Sequence, residues 1–171
     1  MPAQLRAALP EDVLKVLDKY EKRGLYGAPE YEKVVSDEVN HRYLCRLSPW
    51  PEPVTRTFRN FNQKIYNYMQ GPNEWSVTGT LKNWNRWSDL LRISTKTLVM
   101  GAKYDDTSPD DLLKMADLMG MKYDPVSPGD LLKMADSRSK ARAWISGKCS
   151  HFTMYDDQLP YFTELLTFLK S

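Results

Sequence analysis

The sequence predicts an α/β fold joined to a helical layer, and three observations carry that prediction. The first part of the chain is patterned at helical spacing between proline and glycine stops. Two short apolar runs in the second part, KTLVMGA and ARAWISG (Ala141 to Gly147), have the length and the polar or glycine boundaries of buried strands. Each run is followed by a helical pattern, and strand, helix, strand, helix is the rhythm of a sheet with helices packed on it.

Taken in order, the first helix starts at Pro10, with Glu11 and Asp12 in its first turn, Val13, Leu14, Leu17 and Tyr20 on one face, and Lys22 and Arg23 before Gly24 as a stop. A second starts at Pro29 and places Tyr31, Val34, Val35, Val39 and Tyr43 at helical spacing. It ends at SPWPEP (Ser48 to Pro53), where three prolines in six residues cannot continue a helix. A third carries Phe58, Phe61, Ile65 and Met69 on one face and stops at Gly71 and Pro72. The stretch GPNEWSVTGTLKNWNRW is turn-rich and aromatic, and SDLLRI reads as a short helical or bridging piece before the first strand. A closing helix from about Pro160 has Phe162, Leu165, Leu166 and Leu169 as its apolar stripe.

Between the strands lies a tandem repeat. MGAKYDDTSPDDLLKMAD (Met100 to Asp117) recurs as MGMKYDPVSPGDLLKMAD (Met119 to Asp136), identical at 14 of 18 positions. Two copies are too few for a solenoid and point to duplication of one loop and helix. In each copy, Ser before Pro with Asp in the first turn is a helix-starting signature.

Composition narrows the function classes. At 171 residues the chain has room for one ordinary core, a domain being about 150 residues. Its 24 Lys and Arg against 22 Asp and Glu are mixed along the sequence, with no basic arm or binding motif for nucleic acid. With 42% apolar and 27% charged residues, it reads as an ordered globular protein. Cys45 and Cys149 form neither a disulfide framework nor a CxxC site, so a reducing compartment is expected. The N-terminus does not read as a signal peptide, and no apolar run approaches the roughly 18 residues of a membrane span. The protein is therefore expected in the cytoplasm, without a membrane partner. The carboxylates from Asp105 to Asp111 do not form an EF-hand loop: its sixth and twelfth positions would be Asp110 and Ala116. No metal site is expected.

His151 follows the second predicted strand on a short polar turn. A lone histidine is more often a solvated or structurally satisfied ring. Here an acid follows the preceding strand, Asp105 in KYDD or its duplicate Asp124 in KYDP. A carboxylate on one ring nitrogen fixes the tautomer and leaves the other free to act as a base. Asp124 lies 27 residues before His151 and Asp105 lies 46 before it. Local context favours Asp105, because KTLVMGA runs directly into it and carries Thr and Val, while ADLMGM before Asp124 has no β-branched residue. Asp105 is the expected partner, with the second copy an added surface turn and helix. Cys149, two residues before His151, shares its face on an extended segment, though a cysteine at a strand end is more often simply buried. Glu74 is either a solvated turn residue or a ligand group; Trp75, Trp84 and Trp87 are either core or pocket lining; His41 reads as solvated.

The runs GPNEW, VTGTLKNW, TLVMGAKYDDTSP and SHFTMYDD, with PEYEK and CRLSPWP before them, resemble the C-terminal half of the proline iminopeptidase (prolyl aminopeptidase) family of α/β-hydrolases. The resemblance implies a partial α/β-hydrolase fold, with a helical cap over residues 1–87 and the last core strands and helices over 88–171. It implies serine hydrolase chemistry, without metal or organic cofactor, that releases N-terminal proline or another small residue from a peptide with a free N-terminus. Asp105 and His151 take the places of the acid and the base. Glu74, in the counterpart of a GPxEF-like motif, and Asp106, following the acid, take those that hold the substrate α-amino group.

The chain departs from that family at one decisive point. No serine sits in a GxSxG elbow and no HGG-type oxyanion loop is present. The expectation is a truncated member that holds acid, base and cap but is inactive alone. The alternative is a non-catalytic peptide-binding or interaction module derived from the cap.

Overall fold

The computed structural model describes residues 1–120 and 141–171. They form two compact units, one of Met1–Arg42 with Arg46–Asn85, the other of Tyr43–Cys45 with Arg86–Ser171.

The first unit is helical. Helix α1 (Ala3–Ala7) precedes α2 (Glu11–Glu21), which starts at Pro10 as the sequence predicts and buries Val13 and Leu17. The predicted second helix is a composite of α3 (Pro29–Val34), a π-helical turn (Val35–Asn40) and α4 (His41–Tyr43). Val35 and Val39, four residues apart and so on one face, are both buried, at 7% and 0% exposure. Tyr31 is buried beside them and its hydroxyl accepts a hydrogen bond from Asn73 Nδ2 at 3.1 Å. Trp75 completes this core, its indole N–H donating to Asn40 Oδ1 at 2.8 Å.

The predicted third helix is corrected. It is two helices, α5 (Glu52–Arg59) and α6 (Gln63–Met69), and α5 begins inside the proline-rich stretch because Pro53 falls in its first turn, where no backbone N–H is needed. Asn62 ends the gap between them by capping α6, its Oδ1 accepting from the Ile65 N–H at 3.1 Å. The stripe Phe58, Phe61, Ile65 and Met69 is exposed rather than buried.

The second unit is built on a two-stranded parallel sheet. Strands β1 (Thr97–Tyr104) and β2 (Ala141–Ser150) are parallel, in register from Thr97 with Ala141 to Ala102 with Ser146. Helix α7 (Pro109–Leu118) starts on the cap of Ser108, whose Oγ accepts from the Asp111 N–H at 3.1 Å. It covers one face, packing Leu112 and Ala116 with Val99, Ala141, Ala143 and Ile145. Gly101 sits under Leu112, where a β-carbon would clash with the leucine side chain. The alternate residues of β2 meet the closing helix: Arg142 Nη2 lies 2.7 Å from Glu164 Oε1, and the Trp144 and Tyr161 rings meet edge to face. That closing helix is α9 (Gln158–Lys170), preceded by the short α8 (Thr153–Asp156). The second repeat copy, with Asp124, lies outside the described residues except for Met119 and Gly120.

Candidate functional site

Parallel pairing brings the C-terminal ends of β1 and β2 to the same end of the sheet, and the residues that follow them meet there. The register sets which ones. Ala102 pairs with Ser146 but Tyr104 with Ser150, so β2 spends two more residues than β1 over this step. Unbroken pairing would have put Cys149 opposite Asp105; the irregularity advances His151 into that place.

Asp105 is 6% exposed and its backbone N–H donates to Ala102 O at 3.3 Å. His151 Nδ1 lies 3.0 Å from Asp105 Oδ1 and 3.3 Å from Asp106 Oδ1. Thr107 braces both acids, its N–H donating to Asp105 Oδ1 at 3.4 Å and its hydroxyl to Asp106 Oδ1 at 3.3 Å. The turn under His151 is pinned from the other side: the His151 N–H donates to Tyr43 O at 3.1 Å and the Phe152 N–H to Leu44 O at 2.9 Å.

The electrostatics follow from one imidazole serving two carboxylates. Hydrogen bonds to Asp105 and then to Asp106 raise the His151 pKa to about 10, against its partial burial. Burial pushes Asp105 up in spite of the imidazole beside it. Burial acts to raise Asp106 too, but the hydrogen bonds from His151 and then Asp105 outweigh it and hold Asp106 below the usual carboxylate range. In this arrangement His151 keeps its proton at neutral pH, and Nε2 is the ring nitrogen left for proton transfer. The ligand atoms of Asp105, Asp106 and His151 lie within 4.8 Å of one another, the spacing a metal ion could bridge.

The remaining candidates separate. Glu74 belongs to the helical unit, half-buried in a turn, with its carbonyl accepting from Gln70 Nε2 at 3.4 Å. It lines a cavity of about 470 Å³ with Phe61, Ile65, Tyr66, Met69 and Leu81. Phe61, Ile65 and Met69 belong to the apolar stripe that the sequence shows, so part of this lining is visible as a helical pattern. Trp75 is core, Trp84 is 68% exposed, and Trp87 carries Lys114 Nζ 4.9 Å from its ring centroid. His41 is not freely solvated: its ring lies 5.5 Å from that of Trp50. Cys149 is buried, and burial pushes its thiol pKa up, the opposite of what a nucleophile needs. Sequence reasoning missed the Tyr43 and Leu44 carbonyls, because these contacts leave no periodic signal.

No family model matches the chain. The proline iminopeptidase of Flavobacterium johnsoniae is 27% identical over 165 residues, which are 96% of this chain and 49% of that protein. That of Chitinophaga pinensis is 30% identical over 164 residues, 95% of this chain and 48% of its own. The chain is homologous to the C-terminal half of the proline iminopeptidases. It spans about half the length of the curated relatives it matches. Among solved structures, VinJ superposes with a TM-score of 0.82 at 26% identity over 98% of this chain and 51% of its own. A proline iminopeptidase of Mycobacterium smegmatis superposes with a TM-score of 0.78 at 24% identity over 98% of this chain and 50% of its own, a likeness of fold. The fold is a partial α/β-hydrolase fold, as the sequence resemblance implied. Among the described residues, no helix is long and apolar enough to cross a membrane.

Proposed function

We propose that this chain provides the acid, the base and the substrate-holding helices of a serine aminopeptidase that releases N-terminal proline or another small residue from peptides. The observation that carries the reading is the contact of His151 Nδ1 with the buried Asp105, 3.0 Å apart at the ends of adjacent parallel strands. A buried carboxylate on Nδ1 orients the ring and stabilises the imidazolium that forms when Nε2 takes a proton from a nucleophile. The nucleophile and the oxyanion donors are not among these 171 residues in GxSxG or HGG form, and the chain by itself is inactive in this reading.

Asp106 and Glu74 are proposed to bind the α-ammonium group of a peptide with a free N-terminus, the class of partner this chemistry needs. Asp106 on Nδ1 helps to hold His151 protonated. A substrate ammonium that drew Asp106 away would lower the His151 pKa toward the range of a working base. The apolar wall around Glu74 supports a small ring or aliphatic side chain beside the charged amine. Two buried cysteines that form no disulfide support a reducing, cytoplasmic setting.

The test joins the chain to the nucleophile-bearing half of a relative and follows hydrolysis of a proline arylamide. His151→Ala and Asp105→Asn should each lower kcat/KM, by up to the order of 10⁴-fold. Glu74→Gln should cost about 1.5–3 kcal/mol in kcat/KM, the value of a hydrogen bond to a charged group. Wild-type turnover in His151→Ala overturns the reading.

A further inference from the structure

We propose that Asp156 is a positioning residue for His151: its carboxylate holds Ser150, the residue on which the histidine turn is anchored. Asp156 Oδ2 accepts both the Ser150 N–H at 2.7 Å and the Ser150 hydroxyl at 2.6 Å. The Ser150 carbonyl in turn accepts from Thr153 Oγ1 at 2.6 Å. Ser150 is fully buried, so its donors must be paired, and two short bonds to one ionised oxygen are stronger than neutral ones. Asp156 Oδ1 also faces Cys45 Sγ at 4.0 Å, in the strip whose Tyr43 and Leu44 carbonyls receive the N–H groups of His151 and Phe152.

The residue before His151 is thus held by Asp156, while His151 and the residue after it are held by the strip Tyr43–Leu44. That clamp sets the backbone from which the half-exposed ring reaches Asp105 and Asp106. A serine with a free backbone would let the turn rotate, and a shift of about 1 Å breaks hydrogen-bond contact at Nδ1. The inference rests on His151 being the base. Its test reads the ring's position without turnover, so its failure and the failure of the hydrolase reading are distinguishable.

The experiment is an NMR titration of the His151 ring in the 171-residue chain. Asp105 and Asp106 are the charged groups against the ring among the described residues, so its midpoint reports whether it still lies between them. In Asp156→Ala the midpoint should fall from about 10 toward the ordinary 6.5. Asp156→Asn, which removes the charge but keeps an acceptor oxygen for Ser150, should stay near the wild-type value. An unchanged midpoint in Asp156→Ala overturns the proposal, and so does an equal fall in Asp156→Asn, which would assign the effect to charge alone. Should Asp156→Ala fail to fold, Ser150→Ala decides: it keeps the charge, loses one of the two bonds and should fall part of the way, and no change there overturns the proposal as well.

Discussion

In the α/β unit Leu112, Ala116 and Met119, at helical spacing along α7 and its C-cap, are 7%, 0% and 8% exposed, whereas in the helical unit Phe58, Phe61, Ile65 and Met69 are 38%, 39%, 56% and 42% exposed. Both sets are apolar stripes by sequence. One meets a parallel sheet that offers a broad flat partner, and the stripe becomes core. The other runs across two short helices broken at Asn60–Asn62 and borders a cavity that includes a carboxylate. Helical periodicity therefore reports that a face is apolar, and the partner element determines whether that face packs or stays open.

The sharpest way to break this comparison is to cut into the packed stripe. Leu112→Ala removes the side chain that fills the space over Gly101 and should lower unfolding stability by about 2–5 kcal/mol in urea titration. A loss under about 0.5 kcal/mol would show that α7 does not pack on the sheet as described.

The helical unit has one region that should behave like core. Asn40→Ala leaves the buried Trp75 N–H without its 2.8 Å acceptor and should cost about 1–3 kcal/mol by the same measurement.

The His151 cluster contributes through pH. Its pKa is raised on folding, from 6.5 to about 10, so the stability it adds is fully present below pH 6.5 and is lost as pH rises through about 10. The difference in thermal midpoint between the wild type and His151→Gln should therefore shrink from pH 7 to pH 10.5. The effect should be smaller than that of Leu112→Ala, because the histidine side chain is 47% exposed and screened by solvent. A gap that widens with pH would mean that His151 is not held by the two acids.

The smallest effect belongs to the open stripe. Ile65→Ser should alter stability by no more than about 0.5 kcal/mol, since the side chain is 56% exposed. A loss of about 2 kcal/mol or more would place that stripe in a core and remove the contrast.

Local sequence determined what local forces decide. The start of α2 at Pro10, the Ser108 cap of α7 and the strands around KTLVMGA and ARAWISG follow from backbone geometry and from the burial of β-branched and apolar side chains. Asp105 and His151 were legible as candidates because each follows a strand, and parallel strands deliver their C-terminal ends together. Tertiary structure decided the rest. The π-turn at Val35–Asn40 interrupts the predicted second helix, the break at residues 60–62 splits the predicted third, and the extra residues of β2 put His151 rather than Cys149 opposite Asp105. The second acid on Nδ1 and the clamp of Asp156 on Ser150 likewise exist only in three dimensions. Each depends on a contact between segments remote in sequence or on a change of helical or strand register, and neither leaves a trace in periodicity, which records only how often a face is apolar.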